Sequence, residues 1–369
     1  MEKVLGIVTF EDETVSVRGL DDYRPIAAAS FLGRYRVIDF VLSNFSNSGI
    51  NEIQIYVKNQ PRSIIGHLNG TNFNLNSKHG KIDVFYGEGK VPQDVYNHDI
   101  NSFYANMQYI EESNKPYVII APSYMIYSFD FNHLLNHHIE SGDDITMLYK
   151  KTILGKSKAS LTTTLTIENN RVMDISRNLG KFEENNIFLG AYCMSRELFI
   201  KLVDKSIQTS SLYWLKNIVK DSLFELKVGV YEYSDYAACI NSLESYFKAS
   251  MELTKFEYAD KLFKPDWPIY TMTNDSSPTL YDEGTLIQSS VVANGCQIHG
   301  TVINSIIGRN VVVQKGAIVE NSVILPGTFI GADAKLKNCV VDRHAIINHI
   351  KRLKGTPEEP IYVKRRDKI

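Results

Sequence analysis

Cysteine and histidine carry most nucleophilic and metal chemistry near neutral pH. This chain has four of the first and nine of the second, and their spacing points away from both uses. Cys193, Cys239, Cys296 and Cys339 are far apart and form no CxxC pair, so neither a zinc site nor a disulfide framework is indicated. Reduced thiols in a cytoplasmic protein are the simplest reading. His137 and His138 are adjacent within a helical stretch and read as helix surface. The acidic run Glu11-Asp12-Glu13 follows a strand-length apolar run and reads as a solvated loop, whose carboxylates repel a polyanion. Lys351, Arg352 and Lys354, and the tail Lys364-Arg365-Arg366, read as solvated charge, although a local basic cluster can hold a small anion. A net charge of −2 gives no reason to expect nucleic acid or membrane binding.

The elements that must position these side chains fall into two halves of different periodicity. The 369 residues, 44% apolar and 22% charged, suit a soluble globular protein of two domains. Glu2 and Lys3 lead into a buried strand, Val4 to Val8, which does not read as a signal peptide. No apolar run approaches the ~20 residues that span a bilayer. Arg36 to Ser48 reads as a helix with Gly49 as its C-cap, followed by a strand from Glu52 to Val57. Helical spacing over Ile100 to Ser113 leads into a strand from Tyr117 to Ala121. A helix over Phe131 to Ser141 leads through Gly142 into a strand from Ile145 to Tyr149. Strands alternating with helices imply a mostly parallel sheet covered on both faces, with ligands at the carboxyl ends of its strands.

Near residue 280 helical periodicity ends. Ile306, Val312, Ile318, Ile324, Ile330 and Leu336 recur at a spacing of six, and the residues two before each are small or turn-forming. One inward aliphatic per six residues is the mark of a β-helix, whose short strands bury their apolar sides only by stacking coils. A β-sandwich of irregular strands is the alternative. Lys264-Pro265-Asp266-Trp267-Pro268 and Asp275-Ser276-Ser277-Pro278 read as a linker, giving domains at 1–263 and 280–369 joined by 264–279. His299, His344 and His349 raise the acyltransferases that also use β-helices, but the coils are too few and no further motif supports that activity.

The segment from Phe31-Leu32-Gly33-Arg34-Tyr35-Arg36-Val37-Ile38-Asp39-Phe40 through Ser48-Gly49-Ile50 closely resembles a signature of the ADP-glucose pyrophosphorylases (glucose-1-phosphate adenylyltransferases). Trp267-Pro268-Ile269-Tyr270-Thr271 resembles their linker motif, and Cys339-Val340-Val341-Asp342-Arg343 their β-helix. The resemblance implies a fold: an α/β, Rossmann-like nucleotidyltransferase domain with a mixed, mostly parallel sheet, followed by a C-terminal left-handed parallel β-helix. It also implies a tetramer that makes ADP-glucose from ATP and glucose 1-phosphate for glycogen or starch.

That chemistry needs a backbone cradle for phosphates, a cation, and carboxylates that hold Mg²⁺. The family places a glycine-rich turn after the first strand; here Thr9-Phe10-Glu11-Asp12-Glu13-Thr14 follows, with no glycine until Gly19. Where the family has Arg-x-Lys-Pro, Arg24 matches the arginine, but Ile26 stands at the lysine and Ala27 at the proline. Tyr124 and Cys239 stand at the two metal-binding aspartates. Ser176-Arg177-Asn178-Leu179 occupies the region of the sugar-binding Glu-Lys-Pro, and His98-Asp99-Ile100-Asn101 replaces a Gly-Thr-Ala-Asp element. Each 1.36 kcal/mol of lost transition-state stabilisation is a tenfold loss of rate, so these losses together imply no catalysis by this chain.

The resemblance therefore points to a regulatory, non-catalytic subunit of the GlgD type, without metal or cofactor of its own. It would join a catalytic paralogue in a cytoplasmic heterotetramer, Mg²⁺ being needed only in that partner. Arg34, Arg36 and Arg343 match basic residues that contact regulatory anions in the family, and so are the candidate sites for a phosphate-bearing effector. A structural ion pair is the competing role for each, most of all for Arg36 beside Asp39. Two other functions compete: a working sugar-phosphate nucleotidyltransferase with an atypical site, and a self-assembling metabolite sensor.

Overall fold

The computed structural model describes residues 3–10, 15–75, 80–86, 98–153, 162–178, 184–210 and 212–369. The acidic run 11–14 and Leu179 lie outside the described residues. The first domain is built on a nine-stranded sheet. In spatial order its strands are Lys81–Tyr86, Glu52–Val57, Val4–Thr9, Tyr117–Pro122, Glu184–Ser195, Ile145–Ile153, Val228–Glu232, Arg171–Arg177 and Thr163–Glu168. The first four run parallel. Glu184–Ser195 is antiparallel to both its neighbours. The last two strands form a hairpin through Asn169 and Asn170, both at positive φ as a tight two-residue turn requires. Val4–Thr9 is buried throughout, as a Val/Ile run covered on both faces should be. One apolar cluster, containing Phe45, Phe131 and Leu134, covers one face of the sheet; another, containing Phe103, Phe199 and Ile218, covers the other.

Helix Phe131–Ser141 forms where its spacing places it, with Asp130 accepting the Asn132 N–H and Gly142 left-handed at its end. The other two helices differ from expectation. The helix expected from Arg36 starts at Ile38, because Ser30–Phe31 and Tyr35–Arg36 pair as a short hairpin through Leu32 and Gly33, both at positive φ. The stretch expected as one helix from Ile100 to Ser113 is two, Asp99–Ala105 and Met107–Glu111, broken at Asn106.

From Leu280 the chain winds into a left-handed parallel β-helix of three five-stranded sheets. Ile306 pairs with Val323, and Val323 with Val340, so these coils take 17 residues, whereas Val291 pairs with Ile306 across a coil of 15. Three sides of six, six and five residues make 17, and this corrects the spacing read from the sequence. Ile324, Ile330 and Leu336 do point inward, but before them the interior is lined by Ile307, Val313 and Val319. Ile306, Val312 and Ile318 therefore sit one residue off, on the outside. The corners need left-handed backbone, and Asn304, Asn310, Gly316, Asn321, Gly327, Asp333 and Asn338 supply it. Along one corner the Asn304 amide donates to Asn321 Oδ1 at 2.6 Å.

The outer faces of the three β-helix sheets differ. One presents Val291, Ile306, Val323, Val340 and Tyr362, and the α/β domain covers it with a cluster that includes Phe31, Phe40, Tyr246 and Leu253. The linker lies against the first domain too: Trp267 Nε1 donates to Asn44 Oδ1 at 2.9 Å, and the Tyr270 N–H to Ser43 Oγ at 2.8 Å. No helix among the described residues is long and apolar enough to cross a membrane. The register correction makes a prediction. Leu336→Ala, which empties an interior site, should cost about 2–5 kcal/mol, whereas Ile318→Ala on the outer face should cost under ~1 kcal/mol; urea unfolding midpoints compare them.

Candidate functional site

Two places bring functional side chains together. The first is the cleft at the carboxyl ends of Val4–Thr9 and Tyr117–Pro122. Strand Glu184–Ser195 slips register between Phe188 and Tyr192, and at Gly190 it approaches so closely that a Cβ would lie 2.4 Å from Pro122. Gly190 has φ +77°, so only glycine fits without strain. Aromatic rings form the walls: Phe10 meets Trp214 edge-on at 6.0 Å, and Phe188 meets Tyr192 at 4.8 Å. The cavity among them is about 60 Å³, against ~300–1,000 Å³ for typical ligand pockets.

Tyr124 and Cys239 both line this cavity. Met125–Tyr127 pairs antiparallel with Ala237–Cys239, and the Tyr124 carbonyl accepts the Ile240 N–H at 2.9 Å, which fixes both on one wall. A phenol and a thiol are poor ligands for Mg²⁺, which wants hard anionic oxygens, so this cleft does not fit the metal of the related enzymes. Among the described residues no group of three or more His, Cys, Asp or Glu side chains is arranged to hold a metal ion. Asp99 is buried at the cleft edge, and its carboxylate accepts the Ile100 and Leu215 N–H groups at 2.7 and 3.0 Å, which makes it a fastener for helix Leu215–Asp221. None of the four cysteines is in a disulfide among the described residues. Burial raises the pKa of Cys193, Cys296 and, to about 11, Cys339, so these three stay protonated and unreactive.

Ile26 is not in the cleft. It begins a short 3₁₀ turn after Pro25 and is buried in the cluster between the domains. Alignment of the sequence gives it the place of a catalytic lysine; its apolar side chain packs instead against the junction. Phe10, Trp214 and Lys216, which line the cavity, went unnoticed in the sequence, since isolated aromatics after strands carry no periodic signal.

The second place is the junction itself. Asp342, wholly buried, accepts both oxygens' worth of bonding from Arg24 Nη2 at 2.7 and 2.8 Å, from the Tyr362 hydroxyl at 2.7 Å and from the Arg343 N–H at 2.6 Å. The Arg343 guanidinium crosses the junction to donate to Ser30 Oγ at 2.7 Å. Burial, with Arg24 and Arg36 nearby, pushes Arg343 down to about 10. Arg36 is lowered chiefly by burial, against the pull of Asp39. Its guanidinium donates to the Ser63 carbonyl, while its backbone N–H donates to Asp39 Oδ2 at 2.8 Å. The side chain of Asp39 pairs with His67. The pairing of Arg36 with Asp39 read from the sequence is thus made by the backbone.

Arg36, Arg343 and Arg24 act on one another electrostatically. Arg34 does not join Arg343: it is exposed, and its guanidinium lies 5.2 Å from the ring centre of Tyr35. Among the described residues five buried guanidinium Nε atoms, of Arg24, Arg196, Arg309, Arg343 and Arg365, have no hydrogen-bond partner. Buried donors are normally satisfied, so Arg24 and Arg343 leave the junction with two spare donors beside their paired groups. Removing the Asp342 carboxylate should be costly: Asp342→Ala is expected to lower stability by ~3–5 kcal/mol, and Arg24→Leu with Asp342→Leu by less, as read from chemical denaturation.

Comparison with known proteins agrees with this architecture. Residues 23–159 match the nucleotidyl transferase family, and residues 278–357 match the GlmU-like C-terminal hexapeptide family. The chain is 34% identical over 371 residues to the glycogen biosynthesis protein GlgD of Geobacillus stearothermophilus, covering 98% of this chain and 96% of the relative. It is 30% identical over 377 residues to GlgD of Bacillus subtilis, with the same coverage of each. To the glucose-1-phosphate adenylyltransferase of Fervidobacterium nodosum it is 27% identical over 352 residues, covering 94% of this chain and 84% of that enzyme. With its parallel sheet, its stacked coils and these full-length similarities, the chain belongs to the family of glucose-1-phosphate adenylyltransferase and the glycogen biosynthesis protein GlgD.

Proposed function

We propose that this chain is a non-catalytic, regulatory subunit that binds a catalytic glucose-1-phosphate adenylyltransferase paralogue and modulates ADP-glucose synthesis for glycogen. The observation that carries the reading is the cleft: Tyr124 and Cys239 wall it, and a phenol and a thiol are not the oxygen ligands that Mg²⁺ needs. A cytoplasmic heterotetramer is the assembly that this role suggests, since an inactive chain alters synthesis only through contact. Metabolite control then requires an effector whose binding differs between active and inactive states of the assembly. The arginine junction, where the Nε atoms of Arg24 and Arg343 are unpaired, suits a phosphate-bearing effector or phosphate itself.

The purified chain is expected to make no ADP-glucose above background with ATP, glucose 1-phosphate and Mg²⁺. Tyr124→Asp with Cys239→Asp should not restore synthesis, because the acidic run after the first strand still repels the triphosphate. Turnover by the wild-type chain comparable to that of a related enzyme would favour the atypical-enzyme reading instead. Co-expressed with the paralogue, the chain should co-elute with it at micromolar concentration; separate elution would leave the sensor reading.

The arginines give a test of their own. Arg343 is charged in both folded and unfolded states at pH 7, and its lowered folded pKa means that the fold disfavours that charge. A bound anion offsets this. Inorganic phosphate at 100 times its Kd should therefore stabilise the protein by about 2.7 kcal/mol over chloride of equal ionic strength. The gain should be present at neutral pH and decline as pH rises through about 10. Arg36→Ala with Arg343→Ala should abolish this stabilisation, read by thermal denaturation, while leaving the heteromer intact.

A further inference from the structure

At the amino ends of the parallel strands, on the opposite edge of the sheet from the cleft, lies an open pocket of about 440 Å³. That volume is within the ~300–1,000 Å³ of typical ligand pockets. Its walls are the end of helix Phe131–Ser141 with the turn after it, and the start of helix Arg196–Thr209.

One buried side chain turns an unsatisfied polar atom toward this space. His138 lines the pocket and is only 5% exposed. The ring of Tyr117 packs edge-on against it at 5.8 Å, and its Nδ1 lies 2.9 Å from Thr146 Oγ1. Thr146 is wholly buried, and its hydroxyl has no other partner among the described residues, so the hydroxyl proton is donated to Nδ1. Burial lowers the imidazole pKa from its usual value, against the pull of Asp143 and Asp144. At pH 7 the ring is therefore neutral and carries its own proton on Nε2. Nε2 has no partner among the described residues. With Nδ1 turned to the sheet, Nε2 offers an N–H donor on the pocket side.

The charges around the pocket differ in how they are used. Asp143 is fastened: Lys227 Nζ lies 3.1 Å from its Oδ1, and Ser141 Oγ donates to its Oδ2 at 2.7 Å. Gly229 makes room for it, since a Cβ there would strike that carboxylate. Asp144 accepts the Lys227 N–H at 2.7 Å and stays exposed. Glu197 and Lys201 lie one turn apart on one helix face, a spacing that suits an ion pair. Yet both are exposed, and neither is paired among the described residues. Three carboxylates thus surround the pocket with two ammoniums, which disfavours a bare anion such as phosphate. A simple cation would leave Lys201 and the His138 donor unused. A ligand that carries both signs uses all of them.

We propose that this pocket binds a free α-amino acid, its carboxylate held by Lys201 and the Nε2–H of His138, its ammonium by Asp144 and Glu197. Ile139, 50% exposed, and Leu198 give its side chain an apolar wall. The site stands apart from both the cleft and the arginine junction, and it does not rest on the regulatory reading.

Thermal denaturation of the full chain at pH 7, with each common L-amino acid in turn at about 5 mM, tests it, because a ligand bound by the native state alone raises the melting temperature. At least one amino acid should raise it. Acetate and methylammonium, each with half of the charge pattern, should not do so at the same concentration. Calorimetry with that amino acid should then show Lys201→Ala and Glu197→Ala each weakening the affinity by about tenfold or more. Both side chains are exposed, so the variants should keep the circular dichroism spectrum of the wild type. A melting temperature that no amino acid moves would overturn the proposal. So would an equal response to acetate or methylammonium, or an affinity indifferent to both substitutions. None of these outcomes alters the turnover and co-elution tests of the regulatory reading.

Discussion

Asp342 has no exposed surface, and its carboxylate accepts from Arg24, Tyr362 and the Arg343 N–H. Burying a carboxylate and a guanidinium costs several kcal/mol each before their attraction is counted. That cost is recovered only when Arg24 of the α/β domain meets Asp342 of the β-helix in this one geometry. Apolar contact between the domains, from Phe31 and Phe40 to Val323 and Val340, supplies most of the attraction but little direction. The ion pair supplies the direction, because any slip between the domains would leave a buried charge unpaired. The rest of the junction follows from that registration: Arg343, next in sequence to Asp342, is carried across to Ser30, and Arg36 is brought close enough to depress it.

The three segments that resemble the family in sequence all meet at this place. The Phe31 segment forms the hairpin and the helix Ile38–Asn47. Trp267 and Tyr270 of the linker dock on Asn44 and Ser43 of that helix. Cys339 to Arg343 lies on the coil that faces them, where Val340 packs and Asp342 pairs. These three segments thus meet at the contact between domains, while aromatic rings wall the cleft.

Periodic features were legible in the sequence and local exceptions were not. The alternation of strands and helices, the cap at Gly142 and the stacked coils all follow from patterns of apolar residues and glycine. The spacing of six failed by one residue between Val319 and Ile324 because the coil from Ile306 has 17 residues, with one side of five, and a short run cannot reveal which side is shorter. The start of the helix at Ile38 was hidden because Leu32 is left-handed, a conformation its side chain gives no sign of. Tyr124 and Cys239 come together beside one cavity because Met125–Tyr127 and Ala237–Cys239 are paired strands. The sequence gives no sign that Ile26, four residues before the hairpin strand Ser30–Phe31, turns away from the cleft on a 3₁₀ turn.

The contrast between the two arginine roles shows what a sequence motif leaves undetermined. Arg34 and Arg36 are two residues apart on one segment, and both are basic positions of the same signature. Residues two apart on a strand would share a face, but Arg34 lies in the turn before the short strand Tyr35–Arg36. Arg36 turns into the junction, toward Ser63 and the other guanidiniums, and Arg34 turns out, onto the ring of Tyr35. The charge is the same, but the dielectric is not: near Arg36 and Arg343 burial leaves electrostatic interactions weakly screened, and around Arg34 water and salt screen them. An anion held at the junction would thus draw most of its attraction from Arg36 and Arg343, and an exposed arginine at the mouth would steer it there more than hold it.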